Sequence, residues 1–166
     1  GEERDKVSAI IVEAKTPGIT SEVLKWKMGI RASTTARLKF ENVRVPKTNL
    51  LGEAGKGFKM SLKTLDSARV GIAAQAVGIA QGALDEATKY AKKREQFGKS
   101  ISSFEAIQFK LADMATQVEA ARALVYATCR MIDAGVERVS KESSMAKVFA
   151  SDVAMRVTKE AVGIFG

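Results

Sequence analysis

The sequence predicts a mainly α protein: an up-and-down antiparallel helical bundle preceded by a few β-strands. Three observations carry that prediction. The first fifty residues alternate β-branched runs with Pro- and Gly-bearing turns. Residues 58–94 are rich in Ala, Leu and Lys and contain no Pro. After residue 102 the apolar residues recur at alternating steps of four and three, the spacing of a packed helical seam.

Residues 7–14 are rich in β-branched side chains and read as a strand. Thr16-Pro17-Gly18-Ile19 ends it, because Pro presets φ and Gly permits φ > 0. Second and third strands are expected over residues 20–27 and 35–45, with Leu38, Phe40 and Val43 as candidate inward residues. Pro46 breaks the pattern. Three strands are too few for an independent core, so residues 1–54 read as the trailing strands of a β-domain and residues 55–166 as a helical domain. A first helix is expected from Phe58 to about Arg94, roughly 55 Å long at 1.5 Å per residue. Gly71, Ala74, Gly78 and Gly82 offer it a small-residue packing face, and Gly98 is the expected stop. Ser102 and Glu105 have the spacing of a capping box for a second helix, with the seam Ile107, Leu111, Met114, Val118, Ala121, Val125, Thr128 and Ile132. Ala134-Gly135 closes it. Ser140 is the expected cap of a third helix running to Phe165, with Met145, Phe149, Val153, Val157 and Val162 facing inward.

Bulk properties remove several function classes. The chain has 166 residues, 46 % hydrophobic and 28 % charged, which suits an ordinary globular protein. No apolar run is long enough to span a membrane. A single Cys129 excludes an internal disulfide, and with no His a zinc site is not expected. The net charge of +8 is spread along helices and mixed with Asp and Glu, so solvated faces are expected rather than a nucleic-acid surface. Residue 1 is not Met, and the last residues are apolar without a polar tail. These ends, and a bundle of three helices where four are usual, lead us to expect a fragment of a longer polypeptide.

Residues 91–99, Ala-Lys-Lys-Arg-Glu-Gln-Phe-Gly-Lys, are the most specific stretch. A cationic run, an aromatic and a Gly expose Arg94, Gln96 and Phe97 at one corner, which suits an anion beside a flat ring. Asp66 and Arg69 lie three apart on the first helix and share a face. Gly52-Glu53-Ala54-Gly55-Lys56-Gly57-Phe58-Lys59 lacks the Gly-Lys-(Ser/Thr) ending of a phosphate loop and reads as a flexible lead-in to the helical domain. Trp26 is expected to be partly buried among the strands.

Seven short stretches, in this order and spacing, make the sequence resemble the acyl-CoA dehydrogenase family. They are Thr16-Pro17-Gly18-Ile19, Met28-Gly29-Ile30-Arg31-Ala32-Ser33, Phe40-Glu41-Asn42-Val43-Arg44-Val45-Pro46, Gly57-Phe58-Lys59, Ala76-Val77-Gly78-Ile79-Ala80-Gln81, Arg94-Glu95-Gln96-Phe97-Gly98-Lys99 and Phe109-Lys110-Leu111-Ala112-Asp113-Met114-Ala115. The short-chain and butyryl members look closest. The resemblance implies the end of a middle β-barrel domain and most of a C-terminal bundle. It implies FAD as cofactor, acyl-CoA as substrate, α,β-dehydrogenation as reaction, an electron-transfer flavoprotein as acceptor and a homo-oligomer, commonly a tetramer. It places the protein in a bacterial cytoplasm or a mitochondrial matrix.

The resemblance also assigns residues. Arg94, with Gln96 and Phe97, is implied to hold the FAD of an adjacent subunit, since a guanidinium donates two parallel hydrogen bonds to phosphate. Those cations equally suit a helix C-terminus. Glu105 stands where many relatives place a flavin-contacting Gln, and a capping role with Ser102 remains open. Asp66 and Arg69 are implied to contact the acyl-CoA, against the alternative of a surface ion pair. Ala68 occupies a position where some relatives carry the catalytic Glu, so no catalytic residue is expected here and the base is expected beyond residue 166. Gly163 replaces a common Gln that reaches flavin. The rival readings are an acyl-CoA oxidase-like flavoenzyme, or a non-catalytic helical scaffold or nucleic-acid-binding module.

Overall fold

The computed structural model describes residues 6–166. The described residues divide into two compact units, one ending at residue 61 and the other covering 62–166. Among the described residues no helix is long and apolar enough to cross a membrane.

In the first unit, β1 (Ala9–Ile10) pairs antiparallel with β4 (Leu50–Leu51), and β2 (Ile19–Val23) with β3 (Ala36–Phe40). The strands are shorter than the β-branched runs that encode them. Leu38 and Phe40, expected to point inward, are both 56 % exposed, and Val43 is half-buried. Trp26, expected to be partly buried, is 98 % exposed. The two-stranded ribbons offer them no second layer to pack against. The turn before β2 depends on Gly18. Its φ is +91°, and a Cβ there would lie 2.2 Å from the Glu41 carbonyl oxygen, whose own amide donates to Gly18 O. Pro46 caps a 3-10 turn over Lys47–Asn49, as its missing N–H allows.

Three helices form the second unit: α1 (Gly57–Lys93, entering from the first), α2 (Glu105–Asp133) and α3 (Ser140–Phe165). The core is one apolar cluster drawn from all three. On α2 the buried residues are Met114, Val118, Ala121, Val125 and Thr128, the expected seam, with Ile107, Leu111 and Ile132 packed at its ends. The other two faces differ from expectation. On α1 the buried small residues are Ala73, Ala76, Ala80, Ala87 and Ala91, while Gly71, Gly78 and Gly82 face open space. On α3 the core takes Ala146, Ala150, Val153, Ala154, Val157, Ala161 and Ile164. Met145, Phe149 and Val162 are exposed. Alanines let helix axes approach closely, so the buried stripe here is the small-residue stripe.

Two caps also differ. Phe104, not Ser102, is the N-cap of α2, with no side-chain cap bond. Ser102 belongs to a 3-10 turn, and its hydroxyl lies 2.8 Å from Ser100 Oγ. Val139, not Ser140, is the N-cap of α3, and the Ser140 hydroxyl is committed elsewhere.

Candidate functional site

The segment after α1 is a β-hairpin. Glu95–Gln96 (β5) pairs with Lys99–Ser100 (β6) through the two-residue turn Phe97-Gly98. Both turn residues have positive φ, +55° and +77°, the signature of the tight hairpin turn whose twist matches the strands. Gly98 therefore forms the turn and does not stop the helix. α1 is instead finished by Ser100, whose hydroxyl donates to Ala91 O at 2.8 Å, satisfying a carbonyl left free in the last helical turn. Lys92 and Lys93 lie in that turn, where cations complement the helix dipole.

The backbone fixes Arg94 from both sides. Its N–H donates to Tyr90 O at 2.8 Å, and its C=O accepts from Ile101 N at 2.8 Å. Its side chain is exposed and forms no ion pair among the described residues. Gln96 and Glu105 are likewise exposed. Phe97 is 91 % exposed; its ring meets only the edge of Phe104, 6.2 Å away at 86°. A bulky residue in the left-handed region costs on the order of 1–3 kcal/mol, and this one recovers little by burial. Lys99 Nζ sits 4.5 Å above the Phe104 ring. The corner thus offers a rigid backbone bearing a free guanidinium, an amide and an aromatic face. The last turn of α3 is tied to the same end of α1: Tyr90 and Phe165 stack with centroids 4.4 Å apart.

Asp66 and Arg69 are also brought together, in a different way. Arg69 Nη1 donates to Asp66 Oδ1 at 2.9 Å and to Ser144 Oγ at 3.2 Å. Asp66 Oδ2 accepts from Ser140 Oγ at 2.5 Å. The side chains are 34 % (Arg69) and 19 % (Asp66) exposed. Ala68 is exposed beside them and carries no proton acceptor.

The sequence reading passed over two further polar clusters. Arg122 on α2 donates to Gln81 on α1 at 2.5 Å and to Glu119 at 3.1 Å; donating to the Glu119 carboxylate raises the already high pKa of Arg122. A groove of about 450 Å³ between α2 and α3 is lined by Lys110, Asp113, Gln117, Arg156 and Glu160 among others. Lys110 and Glu160 pair at 2.7 Å, and Lys110 holds the Glu160 carboxyl below its ordinary range, first by hydrogen bonding and then by its charge. Gln117 Oε1 is buried without a partner. A side chain at Gly163 would begin 3.9 Å from Lys110 Nζ. Helical spacing alone could have found Glu119–Arg122, three apart on α2, whereas Arg122–Gln81 and Lys110–Glu160 join residues distant in sequence. Among the described residues no group of acidic, His or Cys side chains is arranged for a metal ion.

The family model for the C-terminal domain of acyl-CoA dehydrogenases matches residues 55–166. The chain is 52 % identical over 161 residues to the short-chain-specific acyl-CoA dehydrogenase of Megasphaera elsdenii, covering 96 % of this chain and 42 % of that protein. It is 48 % identical over 160 residues to the CarC subunit of the caffeyl-CoA reductase–Etf complex of Acetobacterium woodii, with the same two coverages. The solved butyryl-CoA dehydrogenase of Megasphaera elsdenii superposes with a TM-score of 0.95 at 51 % identity, covering 98 % of this chain and 42 % of that one. The chain spans about two-fifths of the length of the curated relatives it matches.

Proposed function

This chain belongs to the acyl-CoA dehydrogenase family, and on that premise we propose that it is part of a flavoprotein that oxidises a short-chain acyl-CoA to the 2,3-enoyl-CoA. Residues 1–54 are the end of the middle β-barrel domain and residues 55–166 the C-terminal helical domain. The observation that carries the reading is the hairpin corner, where Arg94 is fixed through its backbone and left without a side-chain partner. A bound FAD would supply the acceptor for a hydride from the substrate β-carbon. The residues present fit that group. The Arg94 guanidinium has its full set of donors available for a diphosphate, and Phe97 offers an apolar face to the rest of the cofactor. Gln96 contributes a neutral donor and acceptor. Glu105 completes the corner; its charge favours a ribose hydroxyl as partner over a phosphate.

Arg69 meets the acyl-CoA, and Asp66 serves that contact by holding Arg69. From Arg69 to Arg94 is 25 residues, roughly 37 Å along a helix at 1.5 Å per residue. The two arginines therefore serve different ligands, and the exposed side chains of the hairpin support a corner that serves the flavin of a neighbouring protomer in a homo-oligomer, a tetramer on family grounds. The α-proton needs a carboxylate within hydrogen-bond reach. With Ala68 at the candidate position on α1, we place that base outside these 166 residues. Electrons then pass to an electron-transfer flavoprotein; the relative named as part of an Etf complex supports that choice. The compartment we assign is the bacterial cytoplasm or the mitochondrial matrix. Full-length protein carrying this chain tests the reading: purified under nitrogen, it is expected to be yellow and to bleach on addition of butyryl-CoA. Colourless protein, or flavin that no short-chain acyl-CoA reduces, would overturn it.

A further inference from the structure

We propose that Ser140, supported by Ser144, is a positioning residue for Arg69: the first turn of α3 sets the direction in which the substrate-binding guanidinium points. The inference rests on the reading of Arg69 as an acyl-CoA contact and deepens it. Its basis is a closed polar ring between α1 and α3. Ser140 Oγ donates to Asp66 Oδ2, and Asp66 Oδ1 accepts from Arg69 Nη1. The same Nη1 donates to Ser144 Oγ, and the Ser144 hydroxyl donates to Ser140 O at 2.6 Å.

Two consequences follow from counting donors and acceptors. Both carboxylate oxygens of Asp66 are engaged within the protein, so Asp66 orients its neighbours and does not itself face the substrate. Arg69 spends only Nη1, whose two N–H groups go to Asp66 and Ser144. A guanidinium has five N–H donors. The three on Nε and Nη2 have no partner among the described residues, and they form the side fork that takes a carboxylate or phosphate by two parallel hydrogen bonds. The ring therefore holds one nitrogen and leaves the fork intact. Arg carries about 2 kcal/mol of side-chain rotamer entropy, and holding Nη1 in advance reduces what is lost when the anionic substrate binds. Within α1 only Asp66, three residues before Arg69, shares in fixing this direction. The two serines that complete the ring lie on another helix, Ser140 74 positions from Asp66 and Ser144 75 positions from Arg69.

The test is steady-state kinetics and enoyl-CoA binding by the full-length holoenzyme bearing Ser140→Ala, Ser140→Thr, Arg69→Ala and the Ser140→Ala/Arg69→Ala pair. Loss of one supporting hydrogen bond is expected to raise KM and the enoyl-CoA Kd about three- to tenfold, with kcat changed by less than about twofold. Ser140→Thr keeps the hydroxyl and restores most of the affinity. In the Arg69→Ala background, Ser140→Ala adds nothing further, because the hydroxyl acts through the guanidinium. An unchanged KM for Ser140→Ala beside a raised KM for Arg69→Ala overturns the positioning role alone. So does an undiminished Ser140→Ala effect in the double variant, or a lowered melting temperature with KM intact. An unchanged KM for Arg69→Ala removes the substrate reading and this inference with it.

Discussion

Arg69 and Arg94 stand on the same helix or at its end, yet they are prepared for binding in opposite ways. Arg69 is held by its side chain, one nitrogen locked between Asp66 and Ser144. Arg94 is held by its backbone, both peptide groups hydrogen-bonded and the guanidinium loose. The difference matches the two roles proposed for them. A side chain oriented within its own chain is ready for a ligand that comes and goes. A side chain projecting from the hairpin, beside an exposed Phe97, is open to something outside the chain. That fits the proposed contact completed by assembly.

The largest effect expected from breaking this contrast is at Arg94. In full-length enzyme, Arg94→Ala removes charge-assisted hydrogen bonds of about 1.5–3 kcal/mol in total, so FAD affinity falls roughly 10- to 150-fold. Flavin absorbance per protomer after gel filtration reads this directly. Arg69→Ala in the same assay retains its flavin.

A smaller effect sharpens the claim that the hairpin holds strain. Phe97→Asn places a residue that tolerates the left-handed region beside Gly98. The strain relieved, on the order of 1–3 kcal/mol, exceeds the exposed edge contact with Phe104, at about 0.5 kcal/mol. Thermal stability is therefore expected to rise by about 1 kcal/mol while flavin binding weakens. A stability that falls would show that the turn carries no strain.

The smallest effect concerns the groove between α2 and α3. Glu160 has its pKa lowered by Lys110. The pair therefore stabilises the fold above the unfolded carboxylate pKa, and that stabilisation is lost as pH falls through the depressed folded value. The melting temperatures of wild type and Lys110→Ala should differ slightly at neutral pH and converge at acidic pH. A gap that widens on acidification would contradict the pairing.

Much of this was legible in the sequence where large apolar side chains carry the period. The α2 seam follows Met114, Val118 and Val125 as expected. On α3 Val153 and Val157 are buried as expected, but the rest of the core face is built on Ala146, Ala150, Ala154 and Ala161, while the larger Met145, Phe149 and Val162 are exposed; hydrophobicity ranks those residues in the wrong order. The Ser102–Glu105 spacing promised a cap, but Ser102 is bonded to Ser100, which closes α1. The pairing of Asp66 with Arg69 was legible in their i, i+3 spacing, and the resemblance nominated the other candidate residues. Their preparation was not, because Ser140 meets Asp66 only once two helices have packed.

The most direct test of an in-trans corner is activity in mixed oligomers of full-length Arg69→Ala and Arg94→Ala protomers, each severely impaired alone. If Arg94 serves a neighbour, a mixed pair contains one site with both arginines intact, and activity returns towards half of wild type per pair. Mixed oligomers no more active than the average of the two parents would place Arg94 in its own protomer's site and contradict the account.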